Sequence, residues 1–425
     1  MALFGALSTG RSGLTNSGAA LSVIGNNIAN VGTVGFKGSR TEFADLISAD
    51  AGGEVGKIGL GARIGAVRTL FSQGAIESTG RSLDLGIQGV GFFVLRDGQG
   101  QAFTRAGNFQ LQPDGTVTNL IGKALLGSPL DVNGQPAGAP QPVSIAGVNS
   151  QARPTTTATL VGNLQSDDAI KATAFDTTTP SFANAYAASN FPTSIRVFDS
   201  LGAAHDVSVF FKKTGANAWS FYMGVDAGET GGTKGALQLI NGTGGTINFN
   251  SDGSVAATTG LAGNVSSSGA TAQTITLNLG TVGKLDGMSQ TASPSGINKQ
   301  AQDGFGAGGL ASLTVDANGI VSATFDNGQT RALYQLSIAH FSAPEGLAPA
   351  GNQIFRASIQ SGPPAVGTAG SQGNGTIVSS ALEQSNVQIA QEFIDLISTQ
   401  RSFQAAARVI TASDTLLGDL INIVR

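Results

Sequence analysis

Residues 382–425 read LEQSNVQIAQEFIDLISTQRSFQAAARVITASDTLLGDLINIVR, and in them Leu382, Ile389, Leu396, Phe403, Ile410, Leu417 and Val424 recur at every seventh position. The companion row, Asn386, Phe393, Gln400, Ala407, Asp414 and Ile421, is mixed in character. One apolar row beside one mixed row, with no Gly or Pro until Gly418, is the pattern of a long helix presenting a seam to another helix. As a single helix it would run roughly 64 Å at 1.5 Å per residue. An ordinary core helix is the alternative, but few globular helices keep one register for so long. Leu396, Phe403 and Ile410, with neighbours on both sides, are the central seam candidates, and truncating one to Ala is expected to cost ~2–4 kcal/mol where it is buried.

The other end of the chain mirrors this. Leu7, Leu14, Leu21 and Ile28 also step by seven, with Leu3, Gly10, Ser17 and Ile24 in the second row. Gly5, Gly10, Gly13, Gly18 and Gly25 make it a poor helix in isolation, since each costs up to ~1 kcal/mol relative to Ala. Small residues do permit close approach of a neighbour, so this helix is expected to form when packed, with the C-terminal heptad as partner. Segments with an apolar stripe, weak propensity and few charges are loose in a lone chain and ordered in an assembly.

Between the ends lies different material. Gly91-Phe92-Phe93-Val94-Leu95 reads as a short buried strand, and Pro113-Asp114-Gly115 as a turn. Val207, Val209 and Phe211 alternate with less apolar residues, as do Trp219, Phe221 and Met223. Asn318-Gly319 and Asn327-Gly328 carry the strongest short hairpin signal. Residues 225–300 read as thin β-structure with long loops. The expected fold is α+β with a nested, out-and-back topology and mainly antiparallel β domains. Residues 1–30 with 381–425 form a helical domain and 31–71 with 363–380 a Gly-rich connector. An inner β domain takes 72–147 with 302–362, and an outer β domain takes 148–301.

Composition excludes several functions. The 425 residues hold 23 basic and 27 acidic side chains, a net charge of −4, so no field favours nucleic acid or an acidic membrane. Charged residues are only 12 % of the chain, with Gly, Ser, Thr, Asn and Gln in their place. The absence of Cys removes disulfides, thiolate metal sites and cysteine nucleophiles. No apolar run approaches the roughly 18 residues of a membrane span. The N-terminus has neither the basic region nor the apolar core of a signal peptide. A chain of this composition is expected outside the cell, exported without a cleaved signal.

Catalytic patterns are likewise missing from the sequence. Gly56-Lys57 and Gly122-Lys123 lack the first Gly of a phosphate loop, and neither a nucleophile elbow nor a His-Glu-x-x-His pair occurs. His205 follows the turn Asp199-Ser200-Leu201-Gly202 and could pair with Asp199 or Asp206. A strand-end His with a satisfied hydrogen bond is the expectation there and at His340. Trp219 could serve as a sugar platform, but its place in a strand alternation points to core. No catalytic residue, metal site or cofactor is expected.

With terminal heptads and connectors set out, the chain resembles the bacterial flagellar rod/hook axial proteins. Ser12-Gly13-Leu14, Asn26-Asn27-Ile28-Ala29-Asn30 and Thr33-Val34-Gly35-Phe36-Lys37 are similar to that family's first helix and the turn after it. Ser385-Asn386-Val387, Gln400-Arg401-Ser402-Phe403-Gln404-Ala405 and Asp414-Thr415-Leu416-Leu417 are similar to its closing helix. Gly91-Phe92-Phe93 and Phe103-Thr104-Arg105-Ala106-Gly107 resemble its inner β domain. The block from Val197 through Asp199 and Gly202 to His205 and Trp219 resembles the outer domain of its hook-type members. So does Asp303-Gly304-Phe305 leading into Asn327-Gly328 and Asn352-Gln353. Phe43-Ala44-Asp45-Leu46-Ile47 resembles the aromatic-plus-apolar export signal of early flagellar substrates; a helical turn or buried corner is the alternative.

The resemblance implies a non-enzymatic subunit of a short curved tube that acts as a universal joint between rod and filament, with terminal helices lining the bore. It implies further copies of the chain as partners, together with a rod protein, the hook cap, a hook–filament junction protein, a length-control protein and the type III export apparatus. Neither nucleic acid nor membrane insertion is implied. The rival readings are a rod-type subunit of a straight tube, a secreted β-rich adhesin or glycan-binding protein, and lastly an enzyme.

Overall fold

The computed structural model describes residues 2–47 and 59–423. The chain divides into two compact units, one of Met1–Gly147, Ser312–Thr324 and Thr330–Arg425, the other of Val148–Ala311 and Phe325–Gln329.

The first unit opens with a helix over Ala2–Ala29 and closes with one over Ile389–Ile423. After the first helix comes an antiparallel hairpin, Ser39–Ile47 with Gly59–Thr69, which carries register shifts at Glu42/Phe43 and Asp45/Ile47. The β body is an antiparallel sheet whose central path runs through Ile320–Phe325, Thr330–His340, Ala124–Pro129, Phe92–Asp97, Gly100–Thr104, Ile354–Arg356 and Ala348–Pro349. Its apolar side gathers Phe92, Phe103, Phe341 and Phe355, with Phe71 packed on them. Edge-on pairs such as Phe103–Phe341 at 4.8 Å and Phe71–Phe92 at 5.4 Å each add ~0.5–1.5 kcal/mol beyond burial. The Asn327-Gly328 turn joins Ile320–Phe325 to Thr330–His340 as an antiparallel hairpin, with Gly328 at φ +78°.

The second unit is a sandwich of two sheets. One is antiparallel: Phe191–Phe198, Ala204–Lys213, Ala218–Asp226, Gly245–Phe249 and Val255–Thr259, with Leu237–Leu239 paired to Ala218–Asp226. The other centres on Thr157–Gln165, which pairs antiparallel with Gly296–Gln302 but parallel with Gln273–Asn278 and Met288–Thr291. The inward positions of both sheets, including Leu160, Val209, Phe211, Trp219, Phe221, Ile247, Ile275 and Leu277, form one core. The alternation at 207–211 and 219–223 is realised as strand faces, and Trp219 is fully buried with its indole Nε1 donating to Gln290 Oε1 at 2.8 Å. Trp219 is therefore core and offers no sugar platform.

One expectation needs correction, and two stretches are more regular than their composition suggests. Leu382 is not in the terminal helix: it lies in a strand, Ala381–Glu383, paired with Ile76–Ser78, and the helix begins at Ile389. The apolar row runs through the boundary because Leu382 is buried by strand pairing rather than by helix packing. The Gly-rich connector over 363–380 carries two short strands: Ala365–Thr368 pairs with Thr330–His340, and Thr376–Ser379 pairs with Leu85–Gln88. Strands this short, each with a partner far away in sequence, leave no periodic signature. Residues 225–300 contribute strands to both sheets, with Ile247, Val255, Ile275, Leu277 and Met288 buried. Thr and Asn on the outward positions had diluted their apolar pattern.

Candidate functional site: the paired terminal helices

The two terminal helices pack antiparallel, since Gly10 meets Ile410 and Ala406, Gly13 meets Ala406, and Asn27 meets Glu392. A Cβ on Gly10 would stand 2.8 Å from Ile410 Cγ1, and one on Gly13 would stand 3.2 Å from Ala406 Cβ. These glycines set how closely the helices approach. By contrast, a Cβ on Gly18 or Gly25 would meet no atom within 4 Å. The buried line along the first helix is Gly10, Asn16, Ala20, Ile24 and Asn27, at successive steps of six, four, four and three residues. Leu7, Leu14, Leu21 and Ile28 flank that line and are only half-buried. The expected leucine seam is thus displaced by one row of smaller residues, because close approach needs glycine where the helices touch.

Leu396, Ala406 and Ile410 of the second helix are half-buried, Ala406 and Ile410 against the glycines of its partner, with Phe403 on the same seven-residue row as Leu396 and Ile410. Its other faces stay apolar in the open: Phe393 is 48 % exposed, Ile397 49 % and Leu416 56 %. Ile394, Ile397, Arg401 and Ala405 line a shallow groove along one face. Ile389, the first residue of the helix, is also exposed. The ~2–4 kcal/mol expected for truncating Leu396, Phe403 or Ile410 requires burial. A lone chain does not supply it in full, because Leu396 and Ile410 are half-buried and Phe403 is exposed. Leu417 lies in the helix, with its side chain outside the described residues, as is Val424.

Asn27, buried at the end of the first helix, fastens three elements. Its Nδ2 donates to Ser39 O at 2.8 Å and Glu392 Oε1 at 3.0 Å, and its Oδ1 accepts from Ser39 N at 2.9 Å. Burial pushes the Glu392 carboxyl above its usual range, against the Asn27 hydrogen bond. Asn16 ties the same helix to the hairpin by donating to Ala62 O at 2.8 Å. Asn386 does so from the other end of the chain, accepting from Gly38 N at 2.8 Å and donating to Leu70 O at 2.7 Å.

Four comparisons with known families follow the same layout. Residues 7–37 match the family described as flagella basal body rod protein, and 86–151 match the flagellar hook protein FlgE/F/G D1 domain. Residues 163–305 match the flagellar basal body protein FlaE D2 domain, and 378–423 match the flagellar basal body rod FlgEFG protein C-terminal region. The flagellar hook protein FlgE of Escherichia coli is 35 % identical over 98 % of this chain and 100 % of its own. The chain belongs to the flagellar hook protein family. The Salmonella typhimurium hook protein FlgE is 35 % identical over 97 % of this chain and 98 % of its own, and that of Treponema pallidum 32 % over 99 % of each.

A buried charge network gathers on Glu383. Lys37 Nζ donates to Glu383 Oε1 at 2.6 Å and to Ser72 O at 2.7 Å. Arg105 donates from Nη1 to Glu383 Oε2 at 3.1 Å and from Nη2 to Gly89 O at 2.7 Å, with its guanidinium 5.4 Å from the Phe92 ring centre. Burial lowers the pKa of both cations, and Glu383 opposes that shift. Gly35 holds φ +67°, and a Cβ there would lie 2.5 Å from Ala106 N. Its N–H donates to Glu383 O at 2.8 Å. The outgoing chain at Lys37, the β body at Arg105 and the returning chain at Glu383 therefore meet on one carboxylate. Sequence reasoning found Lys37 and Arg105 inside motifs but missed Glu383. Its only signal was being one of few charges in a weakly charged chain.

Of the remaining motif residues, Asn26 is exposed, and Asn30 donates from Nδ2 to Asn26 O at 2.9 Å as the helix ends. Phe36 is half-buried and lines a cavity with Asn352, Gln353 and Ile354. Phe43 is exposed within the hairpin, not in a helical turn or buried corner, and Ile47 ends the same strand. In the second unit, Asp199 Oδ1 accepts from Leu201 N and Ala203 N, each at 2.9 Å, while Gly202 turns at φ +87°. His205 pairs with Asp199, as one expectation had it, and also with Glu229, whereas Asp206 pairs with Arg196. His340 bonds Asn374 Oδ1 at 2.9 Å.

Proposed function

We propose that this chain is the subunit of the bacterial flagellar hook, assembling with further copies of itself through the terminal helices into a tube that transmits torque. The observation that carries the reading is the exposed apolar stripe Phe393, Ile394 and Ile397 on a long helix whose opposite face is already occupied. Covering the open half of one such side chain gains roughly half of the ~1.5–3 kcal/mol of full burial, so a helix with several open is completed by neighbours. The role is structural rather than enzymatic.

A bending tube requires contacts that lengthen and shorten each turn. Weakly charged polar surfaces suit that, because screened polar contacts cost little to break whereas desolvated ion pairs cost several kcal/mol. On this reading the helical layer stays fixed while β surfaces slide. The bacterial flagellum is the site of action. Export through the type III apparatus without a cleaved signal, and contacts with rod, cap, junction and length-control proteins, belong to the same proposal. The exposed Phe43 in the hairpin is free for recognition in that export.

The test is Phe393→Ser with Ile397→Ser in a hook-deficient cell, followed by secretion assay and electron microscopy. Secreted, folded subunits that build no hook are expected; normal curved hooks would refute the helix assignment. Phe43→Ser should cut secretion while leaving the β body folded, and undiminished secretion would remove the export role of that segment.

A further inference from the structure

The second unit contains an ionisable cluster centred on a nearly buried histidine. His205, on the strand Ala204–Lys213, is 9 % exposed and lies between two carboxylates. Its Nε2 is 3.0 Å from Asp199 Oδ2, and its Nδ1 is 2.9 Å from Glu229 Oε2. Asp199 sits in the turn before the strand, and Glu229 in the short 3-10 turn Ala227–Thr230. A neutral imidazole has one N–H and one lone pair, so only the protonated ring donates to both carboxylates.

We propose that His205 is a pH-operated clamp holding the Ala227–Thr230 turn against the Asp199 turn. The charges acting on the ring are Asp199 from the preceding turn and Glu229 from the 3-10 turn; Asp206, next on its own strand, is paired with Arg196 at 3.2 Å. Burial disfavours the imidazolium, but the two carboxylate hydrogen bonds outweigh it and raise the His205 pKa above the ordinary value. A raised pKa means that the clamp's stabilisation is complete below the ordinary imidazole value and is lost as pH rises through the folded-state value.

On deprotonation one ring nitrogen turns a lone pair toward a carboxylate oxygen. Asp199 is held by the Leu201 and Ala203 amides and is nearly buried, whereas the Glu229 side chain is 37 % exposed. Glu229 is the arm that lets go. Its backbone carbonyl also accepts from Ser268 N at 3.0 Å, so release of the turn is felt at residues 267–270.

Only two His occur in the chain, which makes the test direct. His-labelled full-length protein is titrated by NMR, and the His205 midpoint is set against the ordinary imidazole value. Hydrogen exchange of residues 226–231, corrected for intrinsic rate, is followed over the same pH range. The expected result is a His205 midpoint above the ordinary imidazole value, with exchange at 226–231 rising roughly tenfold or more across it, the scale of a lost charged hydrogen bond. Glu229→Gln should lower the His205 midpoint and uncouple exchange in that turn from the titration. A His205 midpoint no higher than the ordinary imidazole value, exchange that ignores the titration, or a midpoint unmoved by Glu229→Gln would overturn the clamp. The wild-type titration decides the question even if a variant misfolds.

Discussion

In the β sandwich Trp219, Phe211 and Phe221 are fully shielded from solvent, whereas in the C-terminal helix Phe393, Ile397 and Leu416 each leave about half their surface open. The sandwich closes its apolar faces on each other within one chain. The helix pair closes only one line, through Gly10, Ala20 and Ile24, and leaves the remaining apolar residues unmatched. Burial is thus complete in the sandwich core and incomplete on the helix face where copies are proposed to meet.

Substitutions can break or sharpen this contrast. The largest effect is expected from Trp219→Ala, which empties the sandwich core, strands Gln290 and should cost ~3–5 kcal/mol. Urea unfolding followed by circular dichroism measures it, since the variant has lost the only Trp. Glu383→Gln should cost about as much, ~3–5 kcal/mol, because Lys37 and Arg105 stay buried without their anion. The same urea titration should show the loss in the unit that carries the helices.

A smaller effect separates the glycines. Gly10→Ala forces Ile410 aside and should weaken the helix pair, whereas Gly18→Ala, with open space around it, should stabilise the isolated helix by up to ~1 kcal/mol. Helical circular dichroism of the two variants at matched concentration reads the difference in sign. The smallest effect on the lone chain, within ~0.5 kcal/mol, is expected for Ile397→Ser, an exposed position. Its consequence should appear only in polymer yield, scored by sedimentation.

Much of this was legible in residues 382–425 and 1–30, because heptads and strand alternation report local geometry directly. The helices, the alternation through Trp219 and the Asn327-Gly328 hairpin all follow from such short-range rules. Leu382 shows the limit: a seven-residue repeat cannot tell a buried strand residue from the first knob of a helix. The displaced seam shows another, since Gly10 and Gly13 make the contact while the apolar count favours the leucines beside them. Glu383 and Glu229 were invisible for a third reason. Each gains its role from partners hundreds or tens of residues away, Lys37 and Arg105 for the one and His205 for the other.

On the proposed reading the terminal helices are finished by other copies of the chain. Hydrogen exchange by mass spectrometry, on dilute full-length protein and on assembled polymer, tests it most directly. In the dilute chain residues 2–29 and 389–423 should exchange quickly while Ala204–Lys213 and Ala218–Asp226 stay protected, and assembly should slow the helices by orders of magnitude. Helices as protected in the lone chain as in the polymer would contradict the account.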